Sequence, residues 1–282
     1  MDIKDWFYET DIPLTAAIKV KEHLYSAQSK YQRIDVLDTY ALGKLLLLDK
    51  MVMTSEKDEF YYHESITHPI LSTHTNPKKV MIIGGGDGGT AREVLKYPSI
   101  EEVDMVEIDE EVVNVSKKYF PSITCELENP KLNVRIEDAF EFANNAQDAF
   151  YDIVICDCTD PSPDGIAAML ISKDFYKNIK RILKDDGIYI AQSGSPFLQE
   201  NEFNTCIKNA KDIFKYTDNL ISIIPTYPGS LWSFLIGSNK PINKTIKQNP
   251  QGKTKFWNKE IHDSLFAKPE WIKEKFYSPS KV

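Results

Sequence analysis

The sequence is short of positive charge. It has 42 Asp and Glu residues against 34 Lys and Arg residues, so the formal net charge is −8. Binding to a phosphate backbone needs clustered basic side chains, and we therefore expect no nucleic-acid partner. A cationic ligand suits the sign of the charge better, although an acidic surface most often serves only solubility.

Long apolar stretches are also missing. The longest ones, residues 45–48 and 80–83, have the length of a strand and are far too short to span a bilayer. No early segment combines a basic start, an apolar stretch and a small-residue cleavage site. We expect a cytoplasmic protein with no membrane partner.

Cysteine is scarce, and its spacing is uninformative for metals. The four cysteines, at positions 125, 156, 158 and 206, include one close pair, whereas a metal site built from cysteine pairs needs a second one. We expect buried, reduced thiols and no metal site. The remaining composition, 42% hydrophobic and 27% charged, is ordinary for a globular protein with a sizeable core.

The chain changes its pattern near residue 75. Residues 17–55 alternate and turn as strands do, which predicts a small antiparallel β region. Residues 58–71 then predict a helix, with Ser55 or Asp58 available as its cap and Pro69 near its end. We predict an N-terminal β domain with a connecting helix over residues 1–72 and a second domain over residues 73–282.

Strands alternate with helices in the second domain. We predict strands over residues 79–84, 103–107, 132–136, 152–157 and 188–192, with helices between them over residues 90–97, 110–120, 140–143 and 172–183. This alternation is typical of an α/β fold whose parallel sheet is covered by helices on both faces. The prediction is completed by a helix over 200–214, strands over 220–225 and 232–238, and a short helical tail.

A glycine-rich turn is the strongest local signal. The apolar strand at 80–83 runs into Gly-Gly-Gly-Asp-Gly-Gly at 84–89 and then into a helix, an arrangement that lets a ligand approach the backbone. Glu107 ends the next strand, 23 residues after Gly84, where a carboxylate can accept hydrogen bonds from both hydroxyls of a ribose. Asp87 suits a nucleoside with a positive group, such as a sulfonium, better than a pyrophosphate. The alternative is simple turn chemistry.

Further carboxylates follow the third and fourth strands. Asp138 can meet an adenine edge, can cap the next helix, or can do both. Asp157 and Asp160 lie where open α/β sheets have their crevice, and with Asp87 they would repel one another unless a cation sits among them. Alternatively, Asp157 and Asp160 only shape a turn before Pro161.

These residues belong to a longer set of motifs that resembles the spermidine synthases, of the spermine/spermidine synthase family. The set comprises residues 56–64 (Glu-Lys-Asp-Glu-Phe-Tyr-Tyr-His-Glu), 84–89, 157–161 and 224–228 (Ile-Pro-Thr-Tyr-Pro), supported by residues 6–9, 29–32 and 262–266. The resemblance covers nearly the whole chain in the right order, whereas methyltransferases share only the glycine loop in a looser form. It implies a Rossmann-like, methyltransferase-type α/β sheet with a small N-terminal antiparallel β domain.

The resemblance also implies roles for individual residues. Asp157, which also contacts the amine, is the implied proton acceptor, with Tyr62 beside it. The residues implied to bind the donor or its methylthioadenosine product are Gln32, Gly84, Gly85, Gly86, Glu107, Asp138, Ala139 and Pro163. Those implied to face the aminopropyl tail and the polyamine are His63, Asp87, Asp160, Gln192, Tyr227 and Trp6. Without the resemblance, we would interpret Tyr62, Tyr227 and Trp6 as aromatic side chains of the core.

The implied reaction moves an aminopropyl group from decarboxylated S-adenosylmethionine to putrescine. The donor is a co-substrate, so no cofactor is expected, and the family implies a homodimer or homotetramer. Three departures from the family pattern lie in loops, namely Cys158, the segment 162–167 and the order Gly229-Ser230, and they put the choice of acceptor in question. The alternatives are another acceptor (spermidine, agmatine or cadaverine), an S-adenosylmethionine-dependent methyltransferase acting on a small amine, or a catalytically silent binding protein.

Overall fold

The N-terminal segment forms an antiparallel sheet of five strands. In the computed structural model, which describes residues 5–9, 14–160 and 166–277, the strands follow one another in space in chain order. They are β1 (Trp6–Tyr8), β2 (Ala17–Gln28), β3 (Arg33–Thr39), β4 (Gly43–Leu48) and β5 (Met51–Ser55). The antiparallel region is confirmed, and β1 was not predicted because three residues carry too little pattern.

A tight hairpin connects β4 to β5. Asp49 and Lys50 both have positive φ angles, 48° and 65°, and Leu48 pairs directly with Met51. Two-residue loops of this kind match the right-handed twist of the flanking strands. The preceding run of leucines in β4 is buried on both of its faces, which explains why it is continuously apolar rather than alternating.

Helix α1 (Glu59–Thr73) connects the two sheets and is buried along nearly its whole length. Its N-cap is Asp58, but the Asp58 side chain makes no capping bond. The carboxylate instead accepts hydrogen bonds from Ser55 Oγ (2.5 Å) and from the backbone N–H of Thr226 (2.7 Å). The predicted cap is thus in place, but its side chain joins distant segments of the chain.

The second sheet has seven strands. They are β6 (Lys79–Gly84), β7 (Glu102–Glu107), β8 (Leu132–Ile136), β9 (Tyr151–Asp157), β10 (Leu183–Gln192), β11 (Tyr216–Ile223) and β12 (Leu231–Ser238), in the spatial order β11-β12-β10-β9-β6-β7-β8. β6 to β10 pair in parallel, as predicted. β12 runs antiparallel to β11 because only residues 224–230 connect the two strands, and a parallel pair needs a longer crossover. It is also antiparallel to β10.

Helices cover both faces of this sheet, which confirms the predicted α/β class. They are α2 (Gly89–Leu95), α3 (Glu110–Tyr119), α4 (Ala139–Asn145), a 3₁₀ helix (Ile166–Ile171), α5 (Lys173–Ile182) and α6 (Glu200–Ile213). The predicted helical tail is present as α7 (Lys259–Leu265), α8 (Glu270–Ile272) and a π-helical turn (Lys273–Tyr277). Among the described residues, no helix combines the length and the apolar character that crossing a bilayer requires.

The expectation that all cysteines are buried is wrong in part. Cys156 and Cys206 are buried and Cys158 is half-buried, but Cys125 is exposed in the loop after α3. All four are free thiols. The local pattern around Cys125 contains no strand or helix that would place it inside.

The strand order creates a crevice at the centre of the second sheet. From β6 the chain proceeds outward through β7 and β8, and it then returns to β9 on the other side of β6. Ligands of open α/β sheets bind beyond the carboxyl ends of the strands at such a switch point. β6, β7 and β9 end there at Gly84, Glu107 and Asp157.

Candidate active site

A crevice with two connected chambers lies at this switch point. The first chamber lies between the N-terminal sheet and the ends of β6, β7 and β9, and the second lies between the end of β10 and the start of α6. The two chambers share five lining residues: Met53, Tyr62, Cys158, Thr159 and Tyr227. Predicted site residues in the first chamber are Gln32, Gly84, Gly85, Gly86, Glu107, Asp138, Ala139, His63, Asp87 and Asp157, and those in the second are Asp160 and Gln192.

The glycine loop lies against the end of β9. Gly84 has a φ of +74°, and a Cβ at this position would lie 2.3 Å from the carbonyl oxygen of Asp157. The same carbonyl accepts a hydrogen bond from the N–H of Gly85 (2.8 Å). Only glycine permits both the backbone conformation and this approach, so the loop and Asp157 hold a fixed relative position.

The Glu107 carboxylate lies at the far end of the first chamber. Its Oε1 accepts a hydrogen bond from the N–H of Asp109 (2.9 Å), and burial, aided by the charge of Asp109, raises the pKa of Glu107 to about 7. The Asp109 side chain in turn accepts hydrogen bonds from Gln32 Nε2 (3.1 Å) and Ser29 Oγ (2.6 Å). This end therefore presents one carboxylate that can accept hydrogen bonds from neighbouring hydroxyls.

Asp138 caps a helix and also lines the first chamber. As the N-cap of α4 it accepts a hydrogen bond from the N–H of Phe140 (2.7 Å). Asp138 and Ala139 also line the first chamber beside Glu107. The cap points the start of α4 at the crevice, so the two readings are compatible.

His63 lies between two carboxylates. Its Nδ1 is 2.7 Å from Glu59 Oε2, and its Nε2 is 3.2 Å from Asp87 Oδ2. Burial alone would lower the pKa of His63, but Asp87 and Glu59 together raise it well above its ordinary value. His63 is therefore an imidazolium with both N–H groups engaged. Its ring packs on the backbone of Gly89, where a Cβ would lie 2.2 Å from it.

The charge of His63 is balanced by a network that extends behind the crevice. Burial would raise the pKa of Asp87, but the His63 cation and the N–H of Gly89 (2.9 Å) lower it on balance. Glu59 also accepts from Arg92 Nη2 (2.7 Å), and Arg92 Nε donates to Glu93 (2.8 Å). Sequence reasoning missed Glu59 and Arg92. The spacing of Glu59 and His63, four residues apart on a helix, was the available signal.

Asp157 lies opposite Asp87. Its Oδ2 accepts a hydrogen bond from Thr90 Oγ1 (2.6 Å), and Tyr62 lines the same chamber. Burial and the charge of Asp87 raise the pKa of Asp157, while His63 opposes the shift. Burial also raises the pKa of Tyr62 well above its usual range, so the phenol stays protonated. Thr90, at the start of α2, was not predicted.

The second chamber contains Asp160. Gln192 Nε2 donates to Asp160 Oδ1 (2.9 Å), and Gln199 Nε2 donates to Asp160 Oδ2 (2.6 Å). Burial raises the pKa of Asp160, although the two amides oppose the shift. Tyr227 lies between the chambers, where its hydroxyl donates to the carbonyl of Met53 (2.9 Å).

Two predicted residues are not placed at the crevice. Trp6 lies in β1, where it pairs with Lys19, and it is not among the residues that line either chamber. Pro163 lies outside the described residues, so its predicted role stays a prediction. The tyrosines, by contrast, combine packing with a place at the site, because the rings of Tyr62 and Tyr227 contact each other edge-on at 5.8 Å.

Within the part of the chain that the structure describes, two clusters have the composition of a metal site. One ligand atom each from His63, Asp87 and Asp157 lie within 4.8 Å of one another. However, an imidazolium has no lone pair to offer, so His63 does not suit a metal in this protonation state. The second cluster, Glu64, His68 and Glu93, is fully buried. Glu64 already accepts hydrogen bonds from three backbone N–H groups, and Glu93 pairs with Arg92 and Lys96.

Fold and crevice together define a class of protein. The glycine loop, Glu107 and Asp138 lie together at the switch point of a Rossmann-like sheet, where open α/β sheets bind their ligands. Beside it, Asp87, Asp157 and Asp160 place several negative charges around one cavity. This combination is typical of an enzyme that binds a nucleoside carrying a positive group together with a second, cationic ligand.

Comparisons with known proteins identify the family within this class. The family profile for the spermine/spermidine synthase domain matches residues 59–248, and that for the spermidine synthase tetramerisation domain matches residues 5–56. The polyamine aminopropyltransferase of Thermoanaerobacter sp. is 46% identical over 274 residues, covering 96% of this chain and 98% of its own. That of Clostridium kluyveri is 45% identical over 272 residues, covering 95% and 98%.

A solved structure agrees. A crystal structure of a spermidine synthase in complex with the transition-state analogue AdoDATO superimposes with a TM-score of 0.91 and 33% sequence identity, covering 96% of this chain and 94% of the other. The chain therefore belongs to the spermine/spermidine synthase family and is an aminopropyltransferase of the spermidine synthase type.

Proposed function

We propose that the enzyme transfers the aminopropyl group of decarboxylated S-adenosylmethionine to putrescine, forming spermidine and 5′-methylthioadenosine. The observation that carries this proposal is the arrangement of Asp87, Asp157 and Asp160 along one crevice next to a nucleoside-type site. Asp87 matches the ammonium of the donor, and Asp157 and Asp160 match the two nitrogens of the diamine acceptor. A donor that kept its carboxylate would be repelled by Asp87.

The donor is assigned to the first chamber. In this proposal Glu107 accepts hydrogen bonds from the ribose hydroxyls, while Asp138 and Ala139 contact the adenine. Asp87 binds the aminopropyl ammonium and is kept ionised by His63, whose cation lowers the pKa of Asp87. His63 thus acts on the donor through Asp87. Gln32 supports the ribose end by its hydrogen bond to Asp109.

The acceptor is assigned to the space between Asp157 and Asp160. The attacking amine lies at Asp157 and Tyr62, and the far ammonium lies at Asp160. A raised pKa suits Asp157 to act as a base, because the carboxylate has a greater tendency to take a proton than an ordinary aspartate. Tyr62 keeps its own proton and orients the amine by hydrogen bonding.

The chemical step is a direct displacement at carbon. Asp157 takes one proton from the acceptor's ammonium, and the freed nitrogen lone pair attacks the aminopropyl carbon next to sulfur. The carbon–sulfur bond breaks, and its electron pair converts the sulfonium into a neutral thioether. This leaving group needs no protonation. Holding the nitrogen in line with the carbon–sulfur bond supplies a large part of the acceleration.

We also propose that the enzyme works as an oligomer in the cytoplasm. The match of residues 5–56 to a tetramerisation domain supports an assembly through the N-terminal sheet. Four free thiols are consistent with a reducing compartment. Size-exclusion chromatography with light scattering tests the assembly, and a purely monomeric protein would contradict it.

The test of the reaction is incubation with decarboxylated S-adenosylmethionine and a panel of amines (putrescine, cadaverine, spermidine and agmatine), with products identified by mass. We expect methylthioadenosine and spermidine to form in equal amounts with putrescine. A faster reaction with another amine would replace the acceptor but keep the chemistry. Donor binding without product from any amine would contradict the proposal, and S-adenosylmethionine with methylated amine as the readout would then test the methyltransferase alternative.

A further inference from the structure

Gln199 and Gln192 both donate hydrogen bonds to the carboxylate of Asp160. The two glutamine amides donate one hydrogen bond to each oxygen of this carboxylate, at 2.6 Å from Gln199 and 2.9 Å from Gln192. No motif pointed to Gln199, which lies 39 residues further along the chain than Asp160. Only the fold brings it to the second chamber.

Both amides are held in one orientation. The Oε1 of Gln199 accepts a hydrogen bond from the N–H of Ser195 (2.9 Å), and the Oε1 of Gln192 accepts one from the N–H of Gly194 (3.1 Å). Rotating either amide by half a turn would set NH₂ against N–H and an oxygen against the carboxylate. The Nε2 groups must therefore face Asp160.

The loop that carries these contacts is itself anchored to the sheet. Ser193 N–H donates to the carbonyl of Ser233 in β12 (2.9 Å), and Ser233 N–H and Oγ both donate to the carbonyl of Gly194 (3.0 and 2.7 Å). The backbone N–H of Gln199 also donates to the carbonyl of Ser195 (2.9 Å). The two amides are thus presented by a rigid segment.

Gln199 also occupies a position that glutamine does not favour. It is the N-cap residue of α6, where Ser, Thr, Asp or Asn usually bonds the first turn, and its side chain makes no such bond. When a residue departs from a local preference such as that of the N-cap and gains no local contact, a contact elsewhere in the structure often explains the choice of residue. Here the amide that could not cap the helix bonds to Asp160.

We propose that Gln199 is a positioning residue for acceptor selectivity, which orients Asp160 to bind the far ammonium of a diamine. This inference rests on the proposed function. Each carboxylate oxygen has two lone pairs, and the amides use one on each, which leaves one on each oxygen free to bind a ligand in the chamber that Asp160 lines. Because amides are neutral, they fix the geometry and leave the full negative charge for the ligand, whereas Lys or Arg would cancel it.

The test compares 1,4-diaminobutane with 1-aminobutane, which is equally long but lacks the second ammonium. We expect Gln199→Ala to raise the KM for the diamine by about 10-fold or more, with a smaller change in kcat. For the monoamine, kcat/KM should stay within about 2-fold of wild type, because the interaction that is lost is absent from this substrate. Asn204→Ala, on the exposed side of α6, is the matched control and should change neither value.

A double-mutant cycle with Asp160→Asn separates positioning from a general structural role. If Gln199 acts through Asp160, adding Gln199→Ala to Asp160→Asn should cost little beyond the single change. Gln199→Met, which keeps the length but has no N–H, serves if the alanine variant unfolds at lower temperature. Equal losses for both amines, or an additive cycle, would overturn the inference. A wild-type enzyme that transfers to no amine would overturn the proposed function as well.

Discussion

Replacing Asp157 by asparagine should slow the reaction and stabilise the fold at the same time. The amide keeps the size of the side chain and can still accept the hydrogen bond from Thr90 Oγ1. It cannot take a proton from the acceptor amine. A positioned general base contributes about 10²–10⁴-fold to a rate, and we expect kcat to fall within that range. Donor affinity should change little.

The effect on stability follows from the charges around Asp157. One oxygen each of Asp157 and Asp87 and one ring nitrogen of His63 lie within 4.8 Å of one another. At an effective dielectric constant of about 20, unit charges at that separation interact by roughly 3–4 kcal/mol. Repulsion by Asp87 and attraction by His63 nearly cancel, and the cost of burial remains. The neutral amide should therefore stabilise the fold by on the order of 1 kcal/mol at neutral pH.

The sign of the pH dependence makes this prediction sharper. Because burial raises the pKa of Asp157, the stability associated with its protonated form is complete below the pKa of an unfolded aspartate and is lost as the pH rises through the folded pKa. The asparagine variant has no such loss. Its advantage in urea unfolding should be small at about pH 4, near the pKa of an unfolded aspartate, and larger at about pH 8. Near-normal turnover, or a variant less stable than wild type at the higher pH, would refute the reasoning.

Two further predictions concern buried carboxylates. Because burial raises the pKa of Glu107 to about 7, the KM for the donor should rise as the pH falls below that value. The variant Glu107→Gln should have a high donor KM that does not depend on pH. Initial rates measured across pH check this, and a wild-type donor KM that does not vary with pH would contradict it. Glu59→Gln should lower the free energy of unfolding by about 3 kcal/mol, because it leaves His63 and Arg92 with one buried carboxylate fewer. Urea unfolding checks this. Glu128→Gln, which removes an exposed partner of Lys117, is the control and should leave the midpoint of the urea transition unchanged. Equal midpoints for Glu59→Gln and Glu128→Gln would contradict the prediction that the buried network stabilises the fold.

The elements of the fold were largely accessible from the sequence. The apolar strand into the glycine loop at residues 84–89, the helical spacing of 110–120 and the leucine run of β4 are local patterns, and each became the element it predicted. Turn chemistry and periodicity act over a few residues, so the chain carries them without reference to its distant parts. Short elements such as β1 were missed for the same reason, since three residues hold no period.

The sequence predicted which residues form the site and the order of their motifs, but it did not predict the hydrogen bonds between their side chains. Residues 56–64, 84–89, 157–161 and 224–228 predicted the family, and most of the residues they implied line one crevice. That Thr90 bonds to Asp157 or that Gln199 bonds to Asp160 depends on where β9, α2 and α6 pack. No local pattern encodes a contact between side chains 67 or 39 residues apart.

The charge states show the same division most clearly. By itself the sequence determined that His63, Asp87 and Asp157 are present and that a glycine-rich turn follows a buried strand. Only the tertiary structure decided that His63 lies between Glu59 and Asp87 and is an imidazolium, and that Asp157 has a raised pKa. The physical reason is that a pKa depends on burial and on charges within a few ångströms, and both are set by packing between segments far apart in the chain.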